Sequence, residues 1–170
     1  MDLALGPIAA AVESRLTEWE AEGLARRIWA KDPTVWAETD LPELADRLGW
    51  LGLPEDMAGA VAELKSFASE VAKDGIRFVV LLGMGGSSLA PEVFQSTFGN
   101  AEDHPELIVL DSTHPGAVQA VDARIDLAST LFVVASKSGT TLETLSFFRF
   151  FWHRLMQQGL PQGEHFIALT

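Results

Sequence analysis

The chain has 170 residues, 48% hydrophobic and 21% charged, which is enough apolar content for a buried core and excludes a disordered segment. Its formal charge of −12 excludes a nucleic-acid partner, because neither the residues up to Gly75 (7 basic, 15 acidic) nor those after it (5 basic, 9 acidic) supply a basic face. There is no cysteine for a disulfide, thiolate nucleophile or Cys-based metal site, no apolar run near the ~20 residues that span a bilayer, and Met1 to Pro7 lack the basic start and long apolar core of a signal peptide; a cytoplasmic protein is expected, with no membrane partner.

The first 75 residues read as an all-helical segment. Ile8, Val12, Leu16 and Trp19 recur at helical spacing, as do Met57, Val61, Leu64, Phe67 or Ala68, and Val71, and both stripes are expected to face a core. Between them Asp32-Pro33, Leu41-Pro42, Gly49, Gly52 and Leu53-Pro54 mark turns. From residue 76 the pattern changes to short apolar runs, Phe78 to Leu82, Leu107 to Leu110, Leu131 to Ala135 and Phe166 to Leu169, alternating with helix-length segments, Leu89 to Phe98, Pro115 to Val121 and Thr141 to Gln158. Fully apolar short runs suit parallel strands buried on both faces. The expected fold is therefore α/β, a three-layer αβα sandwich around a doubly wound parallel sheet (76–170), preceded by the helical segment (1–75).

Two of the expected strands run into loops rich in glycine and hydroxyls, Gly83-Met84-Gly85-Gly86-Ser87-Ser88 and Ser136-Lys137-Ser138-Gly139-Thr140-Thr141. Glycine lets backbone N–H groups approach an anion, hydroxyls add neutral donors, and the helix that follows presents unpaired amides and the positive end of its dipole. The first loop does not complete other glycine motifs. A dinucleotide fingerprint would need glycine at Ser88, although Asp111 could imitate its ribose-binding acid, and a hydrolase elbow would need glycine at Leu89; no Walker Gly-Lys-Ser/Thr is present. Taken alone, it could equally be a tight strand-to-helix turn with Ser88 as the cap. In the second loop Ser136, Ser138 and Thr141 can converge on one anion, with the amides of Lys137 to Thr140 completing a cradle. Thr140 and Glu143 also fit a capping box, which assigns Glu143 a structural role. Asp111 is expected to cap the turn to Pro115. His104, His114, His153 and His165 have no metal-ligand spacing, and no metal is expected. The cluster Phe147, Phe148, Phe150, Phe151 and Trp152 marks a helix buried between layers or subunits.

The paired motifs Gly83-Met84-Gly85-Gly86-Ser87 and Ser136-Lys137-Ser138-Gly139-Thr140-Thr141-Leu142-Glu143-Thr144 resemble those of the sugar isomerase (SIS-type) domain of glucose-6-phosphate isomerases. The segments Arg27 to Trp36 and Arg47-Leu48-Gly49-Trp50-Leu51 resemble the helical lead-in of the isomerase half of bifunctional transaldolase/glucose-6-phosphate isomerases. The resemblance implies a site for the phosphate of glucose 6-phosphate or fructose 6-phosphate at Gly86, Ser87, Ser136, Lys137, Ser138, Gly139, Thr140 and Thr141. It also implies aldose–ketose isomerisation through an enediol, with no redox cofactor and no metal. The family's catalytic residues are expected beyond Thr170, so the chain is expected to be the first part of a longer isomerase, inactive alone and homodimeric in its complete form. Gly139 stands where dedicated glycolytic isomerases usually carry a bulky aromatic. Two rival readings are a sugar-phosphate sensing module without turnover and an isomerase of another sugar phosphate.

Overall fold

The computed structural model describes residues 4–39, 41, 44 and 46–170. The chain divides into two compact units, Met1–Ala62 and Glu63–Thr170. The turn expected at Pro42 lies outside the described residues.

The first unit contains α1 (Ala9–Ala21), α2 (Leu24–Trp29) and α3 (Leu53–Ala58), with short 3-10 turns at Pro33–Val35 and Gly49–Gly52. Gly23, at φ 64°, takes the left-handed conformation that breaks α1 from α2. The Asp32 carboxylate accepts from the Thr34 amide at 2.9 Å and from Arg27 Nε at 2.8 Å, while Arg27 Nη2 donates to Thr34 Oγ1 at 2.9 Å. Hydrogen bonds from Thr34 and Arg27, with the Arg27 charge, hold the Asp32 pKa down at about 2 against an ordinary 3.8. Because the folded pKa is the lower one, this stabilisation is complete above pH 3.8 and fades as the pH falls through about 2. In an acid titration followed by NMR, the Thr34 amide should therefore shift with a midpoint near 2. A midpoint at 3.8 would contradict the bonded triad.

The apolar stripe of α1 is not core. Ile8, Leu16 and Trp19 are exposed, as are Met57, Val61, Leu64 and Phe67 in the second stripe. Periodicity correctly marks one face of each helix, but α1 meets chiefly its short neighbour α2, which leaves most of that face uncovered. The buried hydrophobics described in this unit are Leu48 and Leu51.

The second unit is the expected αβα sandwich. After α4 (Val61–Lys73) come β1 (Phe78–Gly83), α5 (Gly86–Phe98), β2 (Glu106–Leu110), α6 (Pro115–Arg124), β3 (Thr130–Ala135), α7 (Leu142–Gln157) and β4 (Phe166–Leu169). All pairings are parallel, in the order β2-β1-β3-β4. The chain steps from β1 outward to β2 and then back past β1 to β3, so right-handed crossovers place α5 and α6 on opposite faces. One face is the main core: Val80, Leu82, Ile108, Leu110 and Phe132 pack with Phe147, Phe151 and Leu155 of α7 and with Ala117, Val118 and Val121 of α6. Phe151 stacks on Phe132 at 4.5 Å between ring centroids, and Phe132 stacks on Phe166 at 5.1 Å.

The aromatics that surround α7 divide between these contacts. Phe147 and Phe151 point into the core, Phe148 and Trp152 close over Phe166 of β4 at 5.0 and 5.7 Å, and Phe150 remains at the surface. On the opposite sheet face α4 and the strands enclose a groove of about 710 Å³ lined in part by Phe67, Val71, Leu131 and Ile167.

Candidate functional site

The order β2-β1-β3-β4 makes the junction of β1 and β3 the switch point of the sheet, since connections leave these neighbours in opposite directions. Their last residues, Gly83 and Ala135, are paired in register, so the two hydroxyl-bearing loops begin about 4.8 Å apart at the carboxyl end of the sheet. Two loops far apart in sequence thus become one site, with α5 and α7 starting from it.

In the first loop Gly85 is the N-cap of α5 at φ 53°, ψ −121°, a conformation open to glycine and strained for other residues. Gly83 is also fixed by contact, because a Cβ there would lie 3.2 Å from the Ser87 side chain and carbonyl. The helix starts at Gly86 rather than Leu89, since Gly85 turns the chain within a single residue. Ser88 is buried and its hydroxyl donates to the Gly85 carbonyl at 3.0 Å, so it braces the turn and does not cap the helix amides. Gly86 is exposed and Ser87 half-buried at the loop surface. A Gly85→Ala variant should lose about 1–3 kcal/mol of stability to backbone strain, because no neighbouring atom obstructs the added methyl. An unchanged urea midpoint would contradict that conformation.

In the second loop Ser136 is buried and its hydroxyl shares a 3.0 Å hydrogen bond with that of Thr141, across the base of the loop. The Ser136 amide is anchored to the Leu169 carbonyl of β4 at 2.9 Å, and the Gly139 amide closes the turn onto the Ser136 carbonyl at 3.1 Å. Gly139 has φ 65°, and a Cβ there would meet Thr170 Oγ1 at 3.6 Å, so space exists but the backbone favours glycine. Ser138 Oγ accepts from the Thr140 amide at 3.2 Å and from its hydroxyl at 3.0 Å. Lys137, Ser138, Gly139 and Thr140 are exposed along the rim.

The expected capping box does not form. Thr141, not Thr140, is the N-cap of α7, and no side chain bonds to the amides of its first turn. The Thr141 hydroxyl is held by Ser136, and Glu143 falls at the second helical position, outside the register that reaches back to the cap. A helix of 16 residues therefore presents open amides beside a rim of hydroxyls, an arrangement suited to an anion.

The turn after β2 also differs from expectation. Asp111 caps nothing; Ser112 Oγ accepts from the His114 amide at 3.3 Å, and His114 Nδ1 accepts from the Gly116 amide at 3.1 Å. His114 is thus the N-cap of α6, a role for which His before Pro at the first helical position is the available signal. His165 is buried with Nδ1 2.7 Å from the Thr130 carbonyl at the opposite end of β3, and His153 pairs with Gln157 on α7. The structure brings together the phosphate-loop residues inferred from sequence, and places His153 and His165 away from them.

The family model for phosphoglucose isomerase matches residues 57–170, the sheet unit with its loops. The chain belongs to the phosphoglucose isomerase family. Over 128 residues it is 34% identical to a glucose-6-phosphate isomerase of Geobacter sp. (strain M21), covering 69% of this chain and 24% of that protein. A glucose-6-phosphate isomerase of Treponema pallidum (strain Nichols) is 36% identical over 118 residues, 62% of this chain and 22% of the relative. The crystal structure of a glucose-6-phosphate isomerase from Chlamydia trachomatis D/UW-3/Cx superimposes with a TM-score of 0.60 at 29% identity, covering 83% of this chain and 26% of that one. The crystal structure of a hypothetical protein from Thermus thermophilus superimposes with a TM-score of 0.59 at 25% identity over 91% of this chain and 36% of its own. The chain spans about a quarter of the length of the curated relatives it matches. Among its described residues no helix is long and apolar enough to cross a membrane.

Proposed function

We propose that the chain is the sugar-phosphate-binding part of a glucose-6-phosphate isomerase, which interconverts glucose 6-phosphate and fructose 6-phosphate by ring opening and proton transfer between C1 and C2 through an enediol. The observation that carries this reading is the register pair Gly83–Ala135, which joins both loops at the switch point of a family-matched sheet. In this reading Gly86, Ser87, Ser136, Lys137, Ser138, Gly139, Thr140 and Thr141 hold the phosphate. Amides of the first turns of α5 and α7 supply fixed partial charge, the hydroxyls orient the oxygens, and Lys137 adds charge at the rim. The phosphate serves as a handle: its binding energy fixes C1 and C2 against the groups that move the proton. Those groups are proposed to come from sequence beyond these 170 residues, in a cytoplasmic homodimer whose context includes, in the bifunctional form, a transaldolase.

The purified chain should bind sugar phosphates and leave fructose 6-phosphate unconverted at the rate of the buffer control. Conversion well above that control would assign the base to Glu143, Asp111 or a histidine of this chain and overturn the proposed division of labour.

A further inference from the structure

Among the described residues one buried side-chain polar atom has no protein partner, the hydroxyl of Thr144, which is 1% exposed. A hydroxyl left unbonded in the interior is unfavourable, and valine has the same shape without that liability. Helical Ser and Thr usually satisfy the hydroxyl on the carbonyl four residues earlier. Ser146 does so, donating to the Leu142 carbonyl at 2.8 Å. For Thr144 that carbonyl belongs to Thr140, which precedes the N-cap Thr141, and no such bond forms. Thr144 shares the buried stripe of Phe147, Phe151 and Leu155, so it lies on the sheet side of α7. Side chains on a helix lean toward its N-terminus, which aims this hydroxyl back at the turn where the two loops meet. At that end the first-turn amides have no side-chain cap, because Ser136 engages the Thr141 hydroxyl.

We propose that Thr144 is a positioning residue of the anion site, its hydroxyl holding one buried water that accepts from a single first-turn amide of α7 and leaves the other amides open to the anion. The inference rests on the phosphate reading of the loops. At 1% exposure the hydroxyl is out of direct reach of a ligand, so it acts through the water, for which the hydroxyl and that amide are the polar partners an interior water requires. Bound phosphate then meets the remaining first-turn amides of a turn already held in place, and the liability of the buried hydroxyl is removed in the same step.

The test is a titration of the chain with inorganic phosphate, monitored by amide NMR shifts, together with thermal unfolding of the free protein. Thr144→Val should be at least as stable as wild type and bind phosphate about three- to tenfold more weakly. Thr144→Ser and Thr144→Ala both lose the methyl group, but only the serine variant should keep the wild-type phosphate affinity, so this pair decides the matter even if the valine variant does not fold. Wild-type affinity in Thr144→Val, or equal weakening in the serine and alanine variants, would overturn the inference and leave Thr144 a packing residue. If wild type binds phosphate, Thr141→Ala weakens it and the Thr144 variants do not, this inference alone fails. If wild type does not respond to phosphate, or Thr141→Ala responds as wild type does, the phosphate reading fails and the inference falls with it.

Discussion

In the complete enzyme, Thr141→Ala should lower kcat/KM for fructose 6-phosphate by roughly ten- to a hundredfold. The Thr141 hydroxyl stands at the N-cap of α7 and is paired with Ser136 across the base of the loop. In the proposed phosphate site its removal deletes a donor to a dianion, where a charge-assisted hydrogen bond is worth about 1.5–3 kcal/mol, and it also releases the Ser136 side chain. Ser138→Ala should lose a similar amount, since its hydroxyl both faces the rim and orients Thr140 through two hydrogen bonds. The loss should be confined to phosphorylated ligands. Wild-type kcat/KM in both variants would reduce the loop to a helix start.

The largest effect on stability is expected from Phe151→Ala, at about 3–5 kcal/mol. Phe151 is fully buried and stacked on Phe132 at 4.5 Å, and Phe132 in turn stacks on Phe166, so one ring ties α7 to β3 and, through Phe132, to the edge strand β4. Its loss opens a cavity that the neighbouring rings can fill only by leaving their stacks. Measured by urea unfolding of the Glu63–Thr170 unit within the whole chain, a loss below about 1 kcal/mol would contradict this packing. Met156→Ala, on the same helix but exposed and without a ring contact, is the control and should change little.

The sheet was legible in the sequence because buried parallel strands are continuous apolar runs: Phe78 to Leu82 and Leu131 to Ala135 are recognisable without knowing what covers them. The loops were legible because glycine and hydroxyl residues cluster where those runs stop. Helix starts were less so. Gly85 lets α5 begin at Gly86, three residues before Leu89, the first good helix former, through a backbone angle that no composition rule reports. Thr140 and Thr141 are chemically equal candidates for one cap, and the choice fell to Thr141 through its bond to Ser136 at the far side of the loop. Periodicity told which side of α1 and α4 is apolar, but not whether anything lies against it; Leu16 and Leu64 remain half exposed. Thr144 closes the second motif in sequence, but nothing there gives it a role of its own. Its signal was a hydroxyl at a core position of the stripe formed with Phe147, Phe151 and Leu155.

The most direct test of the joined-loop site is a comparison of fructose 6-phosphate and fructose in amide-resolved NMR titrations of the isotope-labelled chain. Fructose 6-phosphate should shift the amides of Gly85 to Ser88 and of Ser136 to Thr144 together, with one common affinity, while fructose at the same concentrations leaves them in place. Equal responses to the two sugars, or shifts in one loop without the other, would contradict a single phosphate site at the β1–β3 junction.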